Sequence, residues 1–507
     1  MIEAEVHNSL RAFLRSHPQP NWPHNLTMAR LVARALRLGR SALIQTGLPS
    51  GGHRGPYRWS YLMPLLLWSG PVILVASPSV QQRLLKVEIP RLCQWLGTLK
   101  PIATGEFPDD RNFQGLLLIS PEYWLNDRLK KTEKIPPGIP TIFDGVDDLQ
   151  DWTSDRLRNS ITPTDWHELM HHFPPLSDII RDTRIQLTRS IFQHPANPYQ
   201  CSLLDSSEQE ILQRFYHTIE TANLGLWPVA WRDFWQRFYS ENQMLWAEID
   251  REQGYFSLFS GCVEVASALS PLWYQQPVVL IGGAVDLTAE APIFRQQLGL
   301  NDLTCVKFSP DRHSELIQLY LPDSLPMPNT PQFQAALFQK VRSVLCISPH
   351  NQGLTVLLVG DMPLKNQIGA FLASEFGSRV QVEKTCLDDN GILVTGWEFW
   401  RQHQEVLPTP ILLIVATLPL PSLENPLVAG RVAYYKRLRQ DWFRLYLLPA
   451  ALTELQRAIA PIRQHQGVVA LLDNRVNYRS YGNQVLAALS PLARINYLDT
   501  NLFNNYD

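Results

Sequence analysis

Apolar residues along this chain alternate between two spacings. Short, mostly apolar runs, three to six residues long, read as strands buried on both faces. In the first 150 residues these are Ala42–Ile44, Val72–Ala76, Leu116–Ser120 and Thr141–Asp144. Helical spacing fills the gaps. Leu31, Val32, Ala35, Leu36 and Leu38 form one stripe in a helical stretch from about Ile2, with Gly39 as its stop. Trp59 to Trp68 reads as a second helix, and Val80, Leu84 and Leu85 start a third toward Trp95. Between about Asp151 and Gln253 β-like runs thin out and helical ones dominate. Ser207-Glu208-Gln209-Glu210 reads there as a capping box ahead of Ile211, Leu212, Phe215, Tyr216 and Ile219. Trp227, Trp231 and Trp235 recur at i, i+4 and i+8, the spacing of a buried helix face more than of a base-stacking platform. Sheet character returns at Val278–Ile281. After a proline-rich link, Pro322–Pro331, it recurs at Val356–Val359, Ile392–Thr395, Ile411–Ala416 and Val468–Asp473, with helical segments such as Leu364–Phe376 and Leu448–Ile459 between. The pattern predicts two α/β sheets in tandem, the first interrupted by a helical insertion.

Length and composition narrow the class. At 507 residues the chain exceeds one core and should divide into two or more domains. A formal net charge of −2 gives no global attraction to nucleic acid or anionic lipid, so such binding requires a local patch. The six cysteines, at 93, 201, 262, 305, 346 and 386, show neither C-x-x-C nor paired spacing. That argues for reduced thiols in a cytoplasmic setting rather than disulfides or a zinc site. The opening MIEAEVHNSLRAFLRSH is amphipathic and charged, unlike a signal peptide, and Leu62–Ala76 is broken by Pro64, Gly70 and Pro71. No membrane role is expected.

The candidate chemistry begins at the end of the first strand. Gly47, Gly51, Gly52 and Gly55 form a loop between strand and helix, the layout in which backbone N–H groups and a helix N-terminus face a phosphate. Gly47 and Gly52 fit the template G-x-x-x-x-G-K-S/T. His53 stands at the Lys position and Arg54 at the Ser/Thr position. Asp144 ends a predicted strand, where ligands of open parallel sheets gather.

The C-terminal half carries a family resemblance. YLLPAALTELQRAIAPIRQHQGVVALLDNRVNYRSYG, Tyr446 to Gly482, resembles the end of DinG-type (XPD-like) DNA helicases of superfamily 2. Pro449, Ala450, Leu455, Gln456, Ile462, Arg463, Gly467, Leu472, Asp473, Arg475, Tyr481 and Gly482 stand in register with that family's pattern. GILVTGWEFWRQHQ and LPLPSLENPLVAGR are similar to two upstream segments of the family, and Asn25 to Thr46 to its entry helix and strand. The resemblance implies two tandem RecA-like domains of the P-loop NTPase type: 1–150 and 255–300 as the first, 151–254 as a helical insertion, and 301–507 as the second.

It also implies ATP and Mg²⁺ as cofactors, single-stranded DNA as ligand, and a setting in DNA repair or replication with protein partners there. Gly47, Gly51, Gly52, His53 and Arg54 would face the nucleotide. Asp144 would hold the metal, and Gln456 and Arg463 would act in catalysis. Phe399, Trp400, Arg431, Lys436, Arg437 and Arg439 would meet DNA, the four basic residues from one helix. The departures all concern phosphate, metal and water. His53 and Arg54 replace Lys and the hydroxyl, Gly145 replaces the Glu that activates water, Gly282-Gly283-Ala284-Val285-Asp286 stands for T-S-A-T-L, Arg401 and Gln402 replace Glu and Gly, and Ala460 replaces the first arginine. The family's iron–sulfur cluster needs four cysteines before the Asp144 motif, where this chain has Cys93 alone. Three readings follow: a DNA-binding protein of helicase ancestry with weak or lost ATP hydrolysis, an active ATP-dependent helicase with an atypical phosphate loop, or a pseudo-helicase protein-interaction scaffold.

Overall fold

The computed structural model describes residues 2–17, 22–48, 55–97, 100–108, 110, 112–222, 225–309, 316–348, 353–463, 465–499 and 503. Two seven-stranded sheets, parallel throughout, form the frame. The first runs in the order Thr304–Lys307, Ala42–Gln45, Val278–Gly282, Thr141–Asp144, Val72–Val75, Leu116–Ile119, Ile102–Thr104. The central strands are buried on both sides because their residues alternate between two cores. Ile44, Leu74, Leu116, Ile142 and Ile281 face the N-terminal helices, while Leu43, Ile73, Val75, Leu117, Phe143 and Leu280 face Trp124 and Leu269. The second sheet runs Val380–Val382, Ile392–Thr395, Leu354–Leu358, Pro410–Val415, Val468–Leu471, Ile317–Tyr320, Leu492–Ile495. The expected pair of RecA-like parallel sheets is what the chain forms.

The strand after the insertion decides the connectivity. Val278–Gly282 pairs in parallel with Ala42–Gln45 on one side and Thr141–Asp144 on the other, so the chain returns to its first sheet as expected. Thr304–Lys307 also joins that sheet, beside Ala42–Gln45, which carries the first domain past the expected boundary at 300.

The insertion is rich in helices, and it carries a four-stranded antiparallel sheet besides, in the order Asn159–Ile161, Tyr255–Cys262, Gln243–Asp250, Cys201–Leu203. Its long hairpin extends the insertion to Cys262, beyond the expected 254. The turn at Arg251–Gly254 places Gly254 at φ 72°, a conformation that favours glycine. Trp231 and Trp235 are buried among Trp166, Phe215, Phe234 and Phe238, so the tryptophan stripe is core. The helix there begins at Ser206, and its capping box is formed by Asp205 and Glu208, two residues earlier than the Ser207 reading. Among the described residues no helix is long and apolar enough to cross a membrane.

Candidate functional site

Asp144 ends the middle strand of the first sheet and is fully enclosed. The helix Arg58–Leu67 lies against it, and all but one residue of that helix is buried. Tyr57 Oη donates to Asp144 Oδ1 at 2.7 Å, and Tyr61 Oη donates to Oδ2 at 2.7 Å. Arg58 Nε donates to the same Oδ2 at 3.1 Å, with 1% and 0% of the two side chains exposed. Behind Arg58 lies Glu88, 3.6 Å from its Nη1 and also bonded to Arg83 at 3.0 Å. Gly55 makes this fold-back possible, since a Cβ there would stand 2.7 Å from Arg58 Nε.

The protonation states follow from burial and the Asp144 charge. Burial, then the adjacent carboxylate, drives the phenols of Tyr57 and Tyr61 well above their ordinary range, so both remain donors. Burial alone would lower the Arg58 value, but Asp144 and Glu88 outweigh it and hold the guanidinium charged. Burial raises the Glu88 carboxyl, against the pull of Arg58 and Arg83.

This donor set does not fit Mg²⁺. The ion requires near-octahedral oxygen ligands and keeps several of its waters. Asp144 offers neither: its oxygens accept three hydrogen bonds from buried donors, and a guanidinium stands where a divalent cation would approach. In this structure the counter-ion of Asp144 is Arg58. Gly145 follows at φ 98°, so a glutamate at this position would be strained.

Three strand-end loops are tied together around this point. Thr46 and Gly47 donate their N–H groups to the carbonyls of Gly282 and Gly283, both at 2.9 Å. Asp147 accepts from Gly283 N at 3.0 Å, and Gln45 spans to Asp286 N and to the Thr288 carbonyl. The Gly282-Gly283 pair is required by these approaches, since a Cβ on Gly283 would meet the Leu48 carbonyl at 2.5 Å. Gly47 thus has its N–H committed within the protein. Gly51, Gly52, His53 and Arg54 lie outside the described residues.

The expected residues of the second domain serve packing. Arg463, expected in catalysis, is buried and donates to the carbonyls of Leu489, Ser490 and Pro491, where it clamps a turn. Trp400 is 0% exposed with its indole N–H on the Ala458 carbonyl, so it offers no face to a base. Phe399 packs on the same core and stacks on His403 with centroids 4.2 Å apart. Gln456 donates to the Ala488 carbonyl and lines a cavity of about 150 Å³ between the domains, with Val285, Leu287, Leu448 and Leu452.

The basic residues divide. Arg431 lies 4.8 Å over the Tyr446 ring, and Arg437 donates to the Glu241 carbonyl of the insertion at 3.0 Å. Lys436 is exposed, over Trp442 at 5.3 Å. The helix ends at Arg437, so Arg439 lies beyond it, at φ 57°, and the four do not share one helix. Two residues that carry the most here, Arg58 and Arg457, were not singled out from sequence. Arg457 Nη2 reaches Asp148 Oδ1 across the domain boundary at 2.7 Å.

Comparison with known proteins follows the same division. Residues 410–492 match the helicase C-terminal domain family. The ATP-dependent DNA helicase YoaA of Escherichia coli is 24% identical over 255 residues, 47% of this chain and 40% of that one. YoaA of Haemophilus influenzae is 24% identical over 215 residues, 40% of this chain and 33% of its own. The matched stretch thus spans well under two thirds of either relative. Among solved structures, an XPD helicase superposes with a TM-score of 0.58 at 11% identity, covering 94% of this chain and all of the other. S. tokodaii Xpd4 gives 0.57 at 12% identity, with 94% of this chain covered. The chain resembles the YoaA helicases in sequence over less than half its length, carries the helicase C-terminal domain match, and has the fold of the XPD structures.

Proposed function

We propose that this chain is a DinG-like protein of helicase ancestry that binds single-stranded DNA without turning over ATP, as a scaffold or regulator in repair or replication. The relatives it matches are ATP-dependent DNA helicases, and their shared fold is the basis for nucleic acid as the ligand. One observation carries the loss of turnover: both oxygens of Asp144 are bonded to Tyr57, Arg58 and Tyr61 in a buried cluster. Phosphoryl transfer relies on a metal and fixed cations to neutralise developing charge. A carboxylate already neutralised from inside the protein has no free oxygen for that metal. Six free cysteines suit a reducing, cytoplasmic setting, and the proposal requires no iron–sulfur cluster.

Phosphate release by the purified chain, measured with Mg²⁺ and with or without single-stranded DNA, is expected at background. DNA-stimulated turnover that disappears in Asp144→Ala would overturn the proposal in favour of an active helicase with an atypical loop. Binding of a labelled oligonucleotide is expected at low salt. Its absence would favour the protein-interaction reading, in line with Arg431 and Arg437 being engaged within the protein.

A further inference from the structure

The two domains and the insertion meet along a seam built from three kinds of contact. The charged part lies just beyond Asp144. Asp147, Asp148 and Asp151 occupy one turn and the start of the helix Leu149–Leu157, and unpaired they would repel one another. The second domain presents arginines to them. Arg457, with 16% of its side chain exposed, bonds Asp148 and lies 4.0 Å from Glu454. Burial raises the Asp151 carboxyl against the pull of Arg431 and Arg401, and Arg431 covers Tyr446. Burial would lower the Arg457 value, yet Asp148, Asp147 and Glu454 raise it overall, so this cation stays charged where it is.

The second part is polar. Gln297 of the first domain donates to the Leu445 carbonyl of the second at 2.9 Å. Tyr434 Oη donates to Glu264 at 3.3 Å, beside the bond from Arg437 to Glu241. The third part is apolar. Leu427 of the helix Pro426–Arg437 joins a cluster of Cys201, Trp246 and Phe259 on the insertion sheet. Gly430 on the same helix sits so close that a Cβ would meet Met244 Sδ at 2.7 Å and Leu203 at 3.1 Å. Glycine inside a helix is unfavourable by about 1 kcal/mol relative to alanine, so its presence fits a demand for close approach.

We infer that this seam holds the two α/β domains in one closed arrangement whether or not nucleotide is present, with Arg457 at its charged end and Gly430 at its apolar end. The inference rests on the proposed function and deepens it: DNA would meet a fixed two-domain surface rather than one that opens and closes with ATP. A ligand shifts such an equilibrium only through different affinity for the two states, and the Asp144 cluster offers ATP–Mg²⁺ little in either. Arg401, which differs from the helicase pattern, adds a cation to this seam.

Small-angle scattering from the full chain tests this, supported by hydrogen exchange of the amides in 148–157 and 448–459. The unmodified protein is expected to give one curve, unchanged by millimolar ATP–Mg²⁺. Arg457→Asp is expected to raise the radius of gyration by roughly a tenth, as two compact domains separate on their linkers. The charge swap Arg457→Asp with Asp148→Arg should return the original value, and Gly430→Trp should loosen the apolar end independently. A curve or exchange pattern that shifts with ATP–Mg²⁺ overturns the inference, as does an Arg457→Asp protein that is folded and unexpanded, or an expansion the swap does not reverse. If Arg457→Asp fails to fold, the exchange comparison on the unmodified chain decides. Hydrolysis with an unchanged curve would sink the functional reading and leave the closed seam standing. A nucleotide-dependent curve without hydrolysis would do the reverse.

Discussion

Asp144 and Asp148 flank one tight turn, and each is paired with an arginine, but from opposite directions. Asp144 meets Arg58 inside its own domain, with 0% and 1% of the side chains exposed. Asp148 meets Arg457 across the domain boundary, with 40% and 16% exposed. Burial makes the first pair a matter of folding stability, since neither water nor salt can stand in for a lost partner. Partial exposure makes the second pair a matter of arrangement, weakened by salt and contributing little to stability. The acidic turn at this strand end thus has Asp144 and Asp148 each partnered by an arginine of the protein.

The comparison is broken most severely by removing Arg58. Arg58→Met leaves a buried carboxylate without its cation, and breaking such a pair destabilises by about 3–5 kcal/mol. Denaturant unfolding should show that loss, and Arg58→Met with Asp144→Asn should recover much of it, since replacing both members of a buried pair is often neutral. Full stability in the single variant would mean that Asp144 finds water or an ion, and the sealed site would be wrong.

The phenols sharpen the same point through pH. Tyr61→Phe removes one donor from an ionised group, about 1.5–3 kcal/mol. Because Tyr57 and Tyr61 hold their protons in the folded state above the ordinary range, the folded protein binds more protons than the unfolded chain at alkaline pH. Their contribution is therefore complete below about pH 10 and is lost as pH rises above it, by about 1.4 kcal/mol per pH unit for each phenol. Unfolding free energies from pH 8.5 upward should fall less steeply in Tyr61→Phe by about one proton. An identical slope would place the Tyr61 proton elsewhere.

Why the sheets were legible in sequence and neither charge pair was comes down to range. Buried strands announce themselves as apolar runs, so both parallel sheets were readable, including the return at Val278. Edge strands such as Val380–Val382 and Leu492–Ile495 are half exposed and give no such run. The insertion hairpin was missed because Gln243–Asp250 and Tyr255–Cys262 mix polar and apolar residues, and only Gly254 marks the turn. At the site, the missing Lys and Glu were visible, while their replacement was not. Arg58 is one charged residue in RWSYLMPLLL, and nothing local says that it points at a carboxylate 86 residues on. Residues kept from the family pattern, such as Trp400 and Arg463, marked packing rather than chemistry.

Applied to the outer pair, the same removal should do far less. Arg457→Gln is expected to cost about 0.2–1 kcal/mol at low salt, and less at high salt, because Asp148 can turn to water. The contrast between several kcal/mol at Arg58 and a fraction of one at Arg457 is the quantitative form of the comparison. A loss at Arg457 that matched Arg58 and ignored salt would mean that the seam is part of the folding core.

The smallest effect expected concerns the cations left outside both clusters. Lys436 is exposed over the Trp442 ring, whereas Arg437 is bonded to the Glu241 carbonyl, so the first is expected to meet a phosphate at the smaller loss of contacts within the protein. Single-stranded binding weakens with salt by roughly 0.7 in log–log slope per phosphate neutralised. Lys436→Ala should therefore flatten the slope by about 0.7, measured by anisotropy of a labelled oligonucleotide at several salt concentrations. Arg437→Ala should leave the slope in place, because its charge is already spent on the seam. If Arg437→Ala flattened the slope and Lys436→Ala did not, DNA would be competing with the insertion for that arginine. The DNA-binding surface would then include the seam itself, and the separation between an inner charge cluster for folding and an outer one for arrangement would fail at this point.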